Sequence, residues 1–111
     1  LPPGLDQPAL LNELNASGFA GLYDFVSMPS CFRSLENKGY AFINFVSEEA
    51  ARRFQGSWHG DRRFVGGAVD LPLNLSPARV QGLAANMRKW SRMCRVRNVK
   101  LRPFIQDDNN A

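Results

Sequence analysis

The chain has few of the residues that carry chemistry unaided. Its 111 residues include one histidine, His59, and two cysteines, Cys31 and Cys94. No cysteine or carboxylate stands with His59 at nucleophile or metal-ligand spacing, so the sequence offers no catalytic set, no metal site and no call for a cofactor or small-molecule substrate. His59 follows a helical pattern, where a surface or capping role suits it. The cysteines lie far apart and lack the close pairing of metal sites; they read as free thiols in a reducing compartment, with a bridge between them left open. No apolar run approaches the roughly 18–20 residues that cross a bilayer, and no charged segment leads into an apolar one at the start, so nothing directs the chain to a membrane. Lysine and arginine are missing from the first thirty positions, which hold Asp6, Glu13 and Asp24; with a net charge of +4, the remainder therefore carries +7. Acids in turn are missing from positions 88 to 102, where Arg88, Lys89, Arg92, Arg95, Arg97, Lys100 and Arg102 stand. A basic run of this kind is either a solvated face or a polyphosphate contact that releases counterions on binding.

What is present is more specific. Lys38-Gly39-Tyr40-Ala41-Phe42-Ile43-Asn44-Phe45 matches the pattern Lys/Arg, Gly, Phe/Tyr, Gly/Ala, Phe, aliphatic, any, Phe/Tyr position for position, and so resembles the octamer strand of an RNA-recognition motif. A strand points successive side chains to opposite faces, which places Lys38, Tyr40, Phe42 and Asn44 on one side and Gly39, Ala41, Ile43 and Phe45 on the other. One side is apolar. The other carries two rings beside a cation, a surface suited to unstacked bases and a phosphate, each stacked base contributing about 1–3 kcal/mol.

Hydrophobic content of 44% over this length supports a single core. Asp6 as N-cap, Pro8 in the first turn, Leu10, Leu11 and Leu14 on one stripe and Gly18 as a stop predict a helix over 7–17, with Leu5 and Leu10 forming a hydrophobic staple. A strand over 22–28 ends at Pro29, and a loop leads into the octamer. Ser47 caps a second helix with Glu48 and Glu49 in its first turn and Ala50, Phe54 and Trp58 at four-residue steps; Gly60 closes it. Residues 68–75 read as a strand that Pro72 consigns to an edge. Ser76-Pro77 then opens a third helix whose stripe is Val80, Leu83, Ala84, Met87 and Trp90, with Ala78, Gly82 and Ala85 opposite. Trp58 and Trp90 read as core anchors. The order helix, strand, strand, helix, strand, helix is an α+β, ferredoxin-like split βαβ sheet packed by two helices, with an additional C-terminal helix and with the first strand missing. That strand is expected just before Leu1, and Leu1-Pro2 reads as its tail. Residues 1–105 form the one expected domain and 106–111 a frayed tail.

A narrower likeness runs nearly end to end. Gly21-Leu22-Tyr23-Asp24-Phe25 with Pro29, the stretch Gly39 to Asn44, Ser47-Glu48-Glu49, Ala78-Arg79-Val80-Gln81-Gly82 and Arg102-Pro103-Phe104-Ile105 resemble the C-terminal RNA-recognition motif of the Mei-two-like meiosis regulators of fungi, plants and protists. The resemblance implies a non-catalytic RNA-binding regulator of nucleus or cytoplasm, with the third helix and C-terminal extension integral to the domain. Tyr40 and Phe42 are then the stacking platforms, Lys38 a phosphate contact, and Asn44 a donor to a base edge or sugar. Tyr23 shares a strand face with Phe25 and Ser27, and whether that face is core or RNA side stays open. Arg79 and Gln81, near the start of the third helix, either reach RNA across the sheet edge or lie on the helix surface with Arg79 paired to a carboxylate, and Arg88 and Lys89 hold the backbone from the basic run. The implied partner is single-stranded RNA.

Two other functions compete. Arg79-Val80-Gln81-Gly82-Leu83 echoes an acylphosphatase signature, but Ala78 replaces its first Gly, Asn86 takes the place of its Arg, and the segment falls late in the chain. A protein partner is the more serious alternative: some domains of this fold clamp a tryptophan-containing peptide through an Arg-x-Phe loop, and Arg62-Arg63-Phe64 stands where that loop is expected.

Overall fold

The computed structural model describes residues 1–2, 4–31, 33–62, 64, 73–98 and 101–106. Helix α1 covers Gln7–Leu14, with the Asp6 carboxylate accepting from the Ala9 N–H at 2.9 Å and Pro8 in the first turn. It runs on through a wider turn, Asn15–Phe19, in which Gly18 takes a φ of 99° and reverses the chain. Helix and stop thus lie where the capping residues put them.

Strand β1, Tyr23–Ser27, pairs antiparallel with β2, Phe42–Phe45. The octamer was expected to be extended from Lys38, but β2 begins only at Phe42. Gly39 sits at φ 99° and its N–H donates to the Asn37 side-chain oxygen at 2.8 Å, turning the chain before the strand starts. The Asn37 amide nitrogen in turn donates to the carbonyls of Pro2 and Leu5 at 2.7 and 2.8 Å, and the Leu1 nitrogen donates to Gly39 at 2.8 Å. These bonds hold the first residues beside the approach to β2. Helix α2, Glu48–Trp58, opens on the Ser47 hydroxyl, which accepts from Ala50 at 3.1 Å.

The sequence predicts its third strand over 68–75 and none at the C-terminal end. Phe104–Ile105 (β3) pairs antiparallel with the far edge of β1, giving the order β2-β1-β3. On one side of this sheet Val26, Ile43 and Phe104 come into register, and with Tyr23 and Phe45 they close over Leu10, Leu14, Phe19, Phe54 and Trp58. Phe54 is central: its ring lies 5.4 Å from Phe19, 4.8 Å from Phe45 and 4.7 Å from Trp58.

The last helix departs furthest from expectation. Instead of starting at Ser76-Pro77, α3 spans Leu83–Lys89 and follows Gly82, whose φ of 90° no helix can accommodate. Asn86 is buried while Ala84 and Met87 are exposed, so the helix turns Leu83, Asn86 and Trp90 inward rather than the full apolar stripe. Of the strand expected over 68–75, residues 68–72 lie outside the described residues; Leu73 exchanges backbone hydrogen bonds with Gly60 and Asp61 at 2.7 and 2.8 Å. Residues 107–111, expected to fray, also lie outside them. Among the described residues no strand pairs with the outer edge of β2, which borders a groove of about 570 Å³ between α2 and the segment Leu75 to Leu83.

The position of Phe54 and the Ser47 cap set the first expectation. Phe54→Ala removes about 3–5 kcal/mol, whereas Ser47→Ala removes about 1 kcal/mol; urea unfolding followed by circular dichroism measures both.

Candidate nucleic-acid interface

Antiparallel register assigns each residue of the octamer strand a side. Phe42 lies opposite Ser27, and Asn44 and Ile105 flank Phe25 across the sheet; together they form the face turned away from α1 and α2. Tyr40, 49% exposed, meets the edge of Phe42 with ring centroids 5.6 Å apart. Lys38 is exposed in the turn before it. The Lys89 ammonium, carried by the last turn of α3, stands 5.1 Å from the Phe42 ring centroid, within cation–π range. Arg88 is exposed beside it. Tyr40, Phe42 and Lys89 thus meet on one face from segments far apart in sequence, with Lys38 and Arg88 exposed next to them along the chain.

This face is not open. Trp90, expected as a core anchor, sits on Phe42 instead, with centroids 5.6 Å apart and planes tilted by 41°, and the same Lys89 ammonium lies 5.1 Å from the Trp90 ring. Phe25, at the centre of the face, is 0% exposed.

Four residues expected to contact RNA are placed differently. Tyr23 does not share a face with Phe25: the ladder shifts register between them, and this irregularity turns Tyr23 to the helix side. There it is 4% exposed, its hydroxyl donates to the Asn15 side-chain oxygen at 2.7 Å, and its ring lies 5.5 Å from Phe104. Asn44 has both ends of its amide engaged: Nδ2 donates to Asp24 at 2.7 Å, and Oδ1 accepts from the Gly82 N–H at 3.0 Å. It therefore ties the start of α3 to the sheet rather than offering a donor to a base. Arg79 and Gln81 precede α3 in irregular chain and are exposed; Gln81 donates to the nearby Ala78 carbonyl at 2.7 Å. Neither joins the aromatic cluster in this arrangement.

Other residues resolve more simply. His59 is a cap, its Nδ1 accepting from the Leu75 N–H at 3.0 Å. Arg102 turns back, its Nε donating to the Val96 carbonyl at 2.7 Å. Both cysteines are free. In the segment considered for peptide binding, Arg63 lies outside the described residues and the Phe64 ring packs on Trp58 at 5.7 Å, engaged in the core.

An antiparallel sheet backed by α1 and α2, with an aromatic octamer strand on its other face, is the architecture of an RNA-recognition motif. The family model for RNA recognition motif 2 matches residues 2–91, and the chain belongs to that family. Its relatives include Protein MEI2-like 6 of Oryza sativa subsp. japonica, 36% identical over 72 residues, covering 65% of this chain and 22% of that protein. Protein MEI2-like 7 of the same organism is 40% identical over 60 residues, covering 50% of this chain and 15% of that protein. The likeness to Mei-two-like proteins carried by the sequence blocks is thereby shown, and RNA binding is the character of the family. The chain spans less than a quarter of the length of these relatives.

The burial of Tyr23 has a measurable side. Burial raises its phenol above the ordinary value of 10.0, the Asn15 hydrogen bond opposing that shift. The folded chain therefore holds the proton more tightly than the unfolded one, and this stabilisation is complete below pH 10 and lost as pH rises through the folded value. Tyr23→Phe should cost about 1 kcal/mol at neutral pH, with the gap to the parent narrowing above pH 10 in urea titrations of both proteins.

Proposed function

We propose that this domain captures a few nucleotides of single-stranded RNA without catalysis, stacking bases on Tyr40 and Phe42 and holding the backbone through Lys38, Arg88 and Lys89. The observation that carries this reading is the aromatic pair itself: a half-exposed tyrosine ring against Phe42, bordered by the Lys89 ammonium on a surface otherwise built from a closed core. A large ring left in water near an ammonium group suits the flat face of a base and an adjacent phosphate. Free thiols at Cys31 and Cys94 suit a reducing compartment, and the same reading puts the protein in the nucleus or cytoplasm.

Binding is measured by fluorescence anisotropy with a labelled RNA octamer of randomised sequence. Tyr40→Ala should weaken it about tenfold or more, one stacked base contributing about 1–3 kcal/mol, while leaving the thermal midpoint nearly unchanged because the ring is half in water. Unchanged affinity in both Tyr40→Ala and Phe42→Ala would remove the stacking platform from the mechanism.

Salt tests the cations separately. Three phosphate contacts give a log–log slope of binding against salt of about −2, and Arg88→Ala should make it shallower by about 0.7. A slope near zero would show that the basic residues take no part.

A further inference from the structure

The face proposed to receive RNA is covered by a piece of the same chain. Trp90 lies on Phe42, Lys89 stands over both rings, and Phe25 beneath is fully buried. A base cannot stack on Phe42 where Trp90 and Lys89 now sit. Yet the covering element is weakly held. α3 has only seven residues, and the one hydrogen bond among the described residues that joins its start to the sheet runs from the Gly82 N–H to Asn44. The buried Asn86 amide does not reach the sheet; it donates back to Val80 and Gly82, in the segment that leads into the helix.

The closed position also carries a defect. The indole nitrogen of Trp90 is buried with no hydrogen-bond partner among the described residues, so closure leaves a donor unmet that water would satisfy on opening. Gly82, just before α3, occupies a left-handed conformation open to glycine and strained for other residues, and is a natural pivot.

From these observations, and resting on the stacking reading of Tyr40 and Phe42, we infer that α3 is an autoinhibitory lid: Trp90 and Lys89 occupy the place on Phe42 that a base takes, and RNA binds there when α3 swings away about Gly82. Tyr40 stays accessible in the closed state and supplies the first stack. Apparent affinity is then the intrinsic affinity scaled by the fraction of molecules that are open. Lys89, freed from the two rings, becomes available to a phosphate.

Three measurements on the 111-residue chain test this. With the randomised RNA octamer, Trp90→Ala should bind about tenfold more tightly than the parent, as expected if roughly a tenth of the molecules are open, and Asn44→Ala, which cuts the tie to Gly82, should strengthen binding to a smaller degree. Amide hydrogen exchange without RNA should show Asn86 and Trp90 exchanging through local opening, at least tenfold faster than Val26 and Ile43. On adding RNA, the indole N–H resonance of Trp90, identified by its loss in Trp90→Ala, should shift while that of Trp58 stays. Weaker or unchanged binding by Trp90→Ala would overturn the lid, as would α3 amides that exchange only with global unfolding, a test that stands even if Trp90→Ala fails to fold. Failure of the stacking reading looks different: Tyr40→Ala then binds as the parent does, or no variant binds, and gating of RNA falls with it whatever the exchange rates show.

Discussion

The irregularity in β1 between Tyr23 and Phe25 is the constraint on which both faces of the molecule depend. In a regular strand those two rings would share a side, and either the helix-side core would lose Tyr23 or the opposite face would lose Phe25. With the shift, Tyr23 reaches Asn15 and Phe104 on one side while Phe25 pairs with Asn44 and Ile105 on the other. Val26 and Ile43 then fall in line beneath α2, and Ser27 and Phe42 fall in line on the face that α3 covers. The aromatic platform is positioned by this local extra residue as much as by the octamer that names it.

Asn44 connects that geometry to the C-terminal part of the chain. One side of its amide is held by Asp24 from β1, which leaves the oxygen aimed at the Gly82 N–H. A residue that sequence logic assigns to a base is thus used to place a helix, and what places α3 also places Lys89 and Trp90 over Phe42. The tie is a neutral hydrogen bond, worth about 1 kcal/mol net, and it sits at the beginning of α3, so the far end of the helix depends on ring contacts.

Much of this was legible in the sequence. The caps at Asp6 and Ser47, the stop at Gly18, the four-residue step of Ala50, Phe54 and Trp58, and the alternation from Phe42 to Phe45 are local rules read over a few residues, and the structure follows them. The departures share a physical cause: each was decided by a contact distant in sequence. Tyr23 was misplaced because a register shift depends on the partner strand. Asn44 was misread because Gly82 lies 38 positions away. β3 is two residues long and exists only because β1 offers an edge, so no periodicity announces it. α3 was drawn too long because Ser76-Pro77 satisfies the rule for a helix start, whereas Gly82 and its bond to the sheet determine where the helix begins. The aromatic cluster was half legible, since Tyr40 and Phe42 are adjacent in one motif and Trp90 joins them only through the fold.

A small domain with apolar residues on both faces of its sheet meets a conflict between stability and function. Phe42 left open would add its ring to the exposed apolar surface, and covering it with Trp90 recovers that burial at about 25 cal/mol per Å². The cover then competes with any ligand for the same surface. The tilted Trp90–Phe42 pair contributes about 0.5–1.5 kcal/mol beyond its burial and the Lys89 contacts about 0.5–1 kcal/mol at an exposed site, while the unmet indole donor opposes closure by about 1–3 kcal/mol. A base arriving on the same ring offers about 1–3 kcal/mol. These specific terms are of one order, so a ligand stacking on Phe42 competes with the ring contacts of the cover on comparable terms, while apolar burial adds to the side of the cover. The unmet indole donor therefore acts against the cover and on the side of opening.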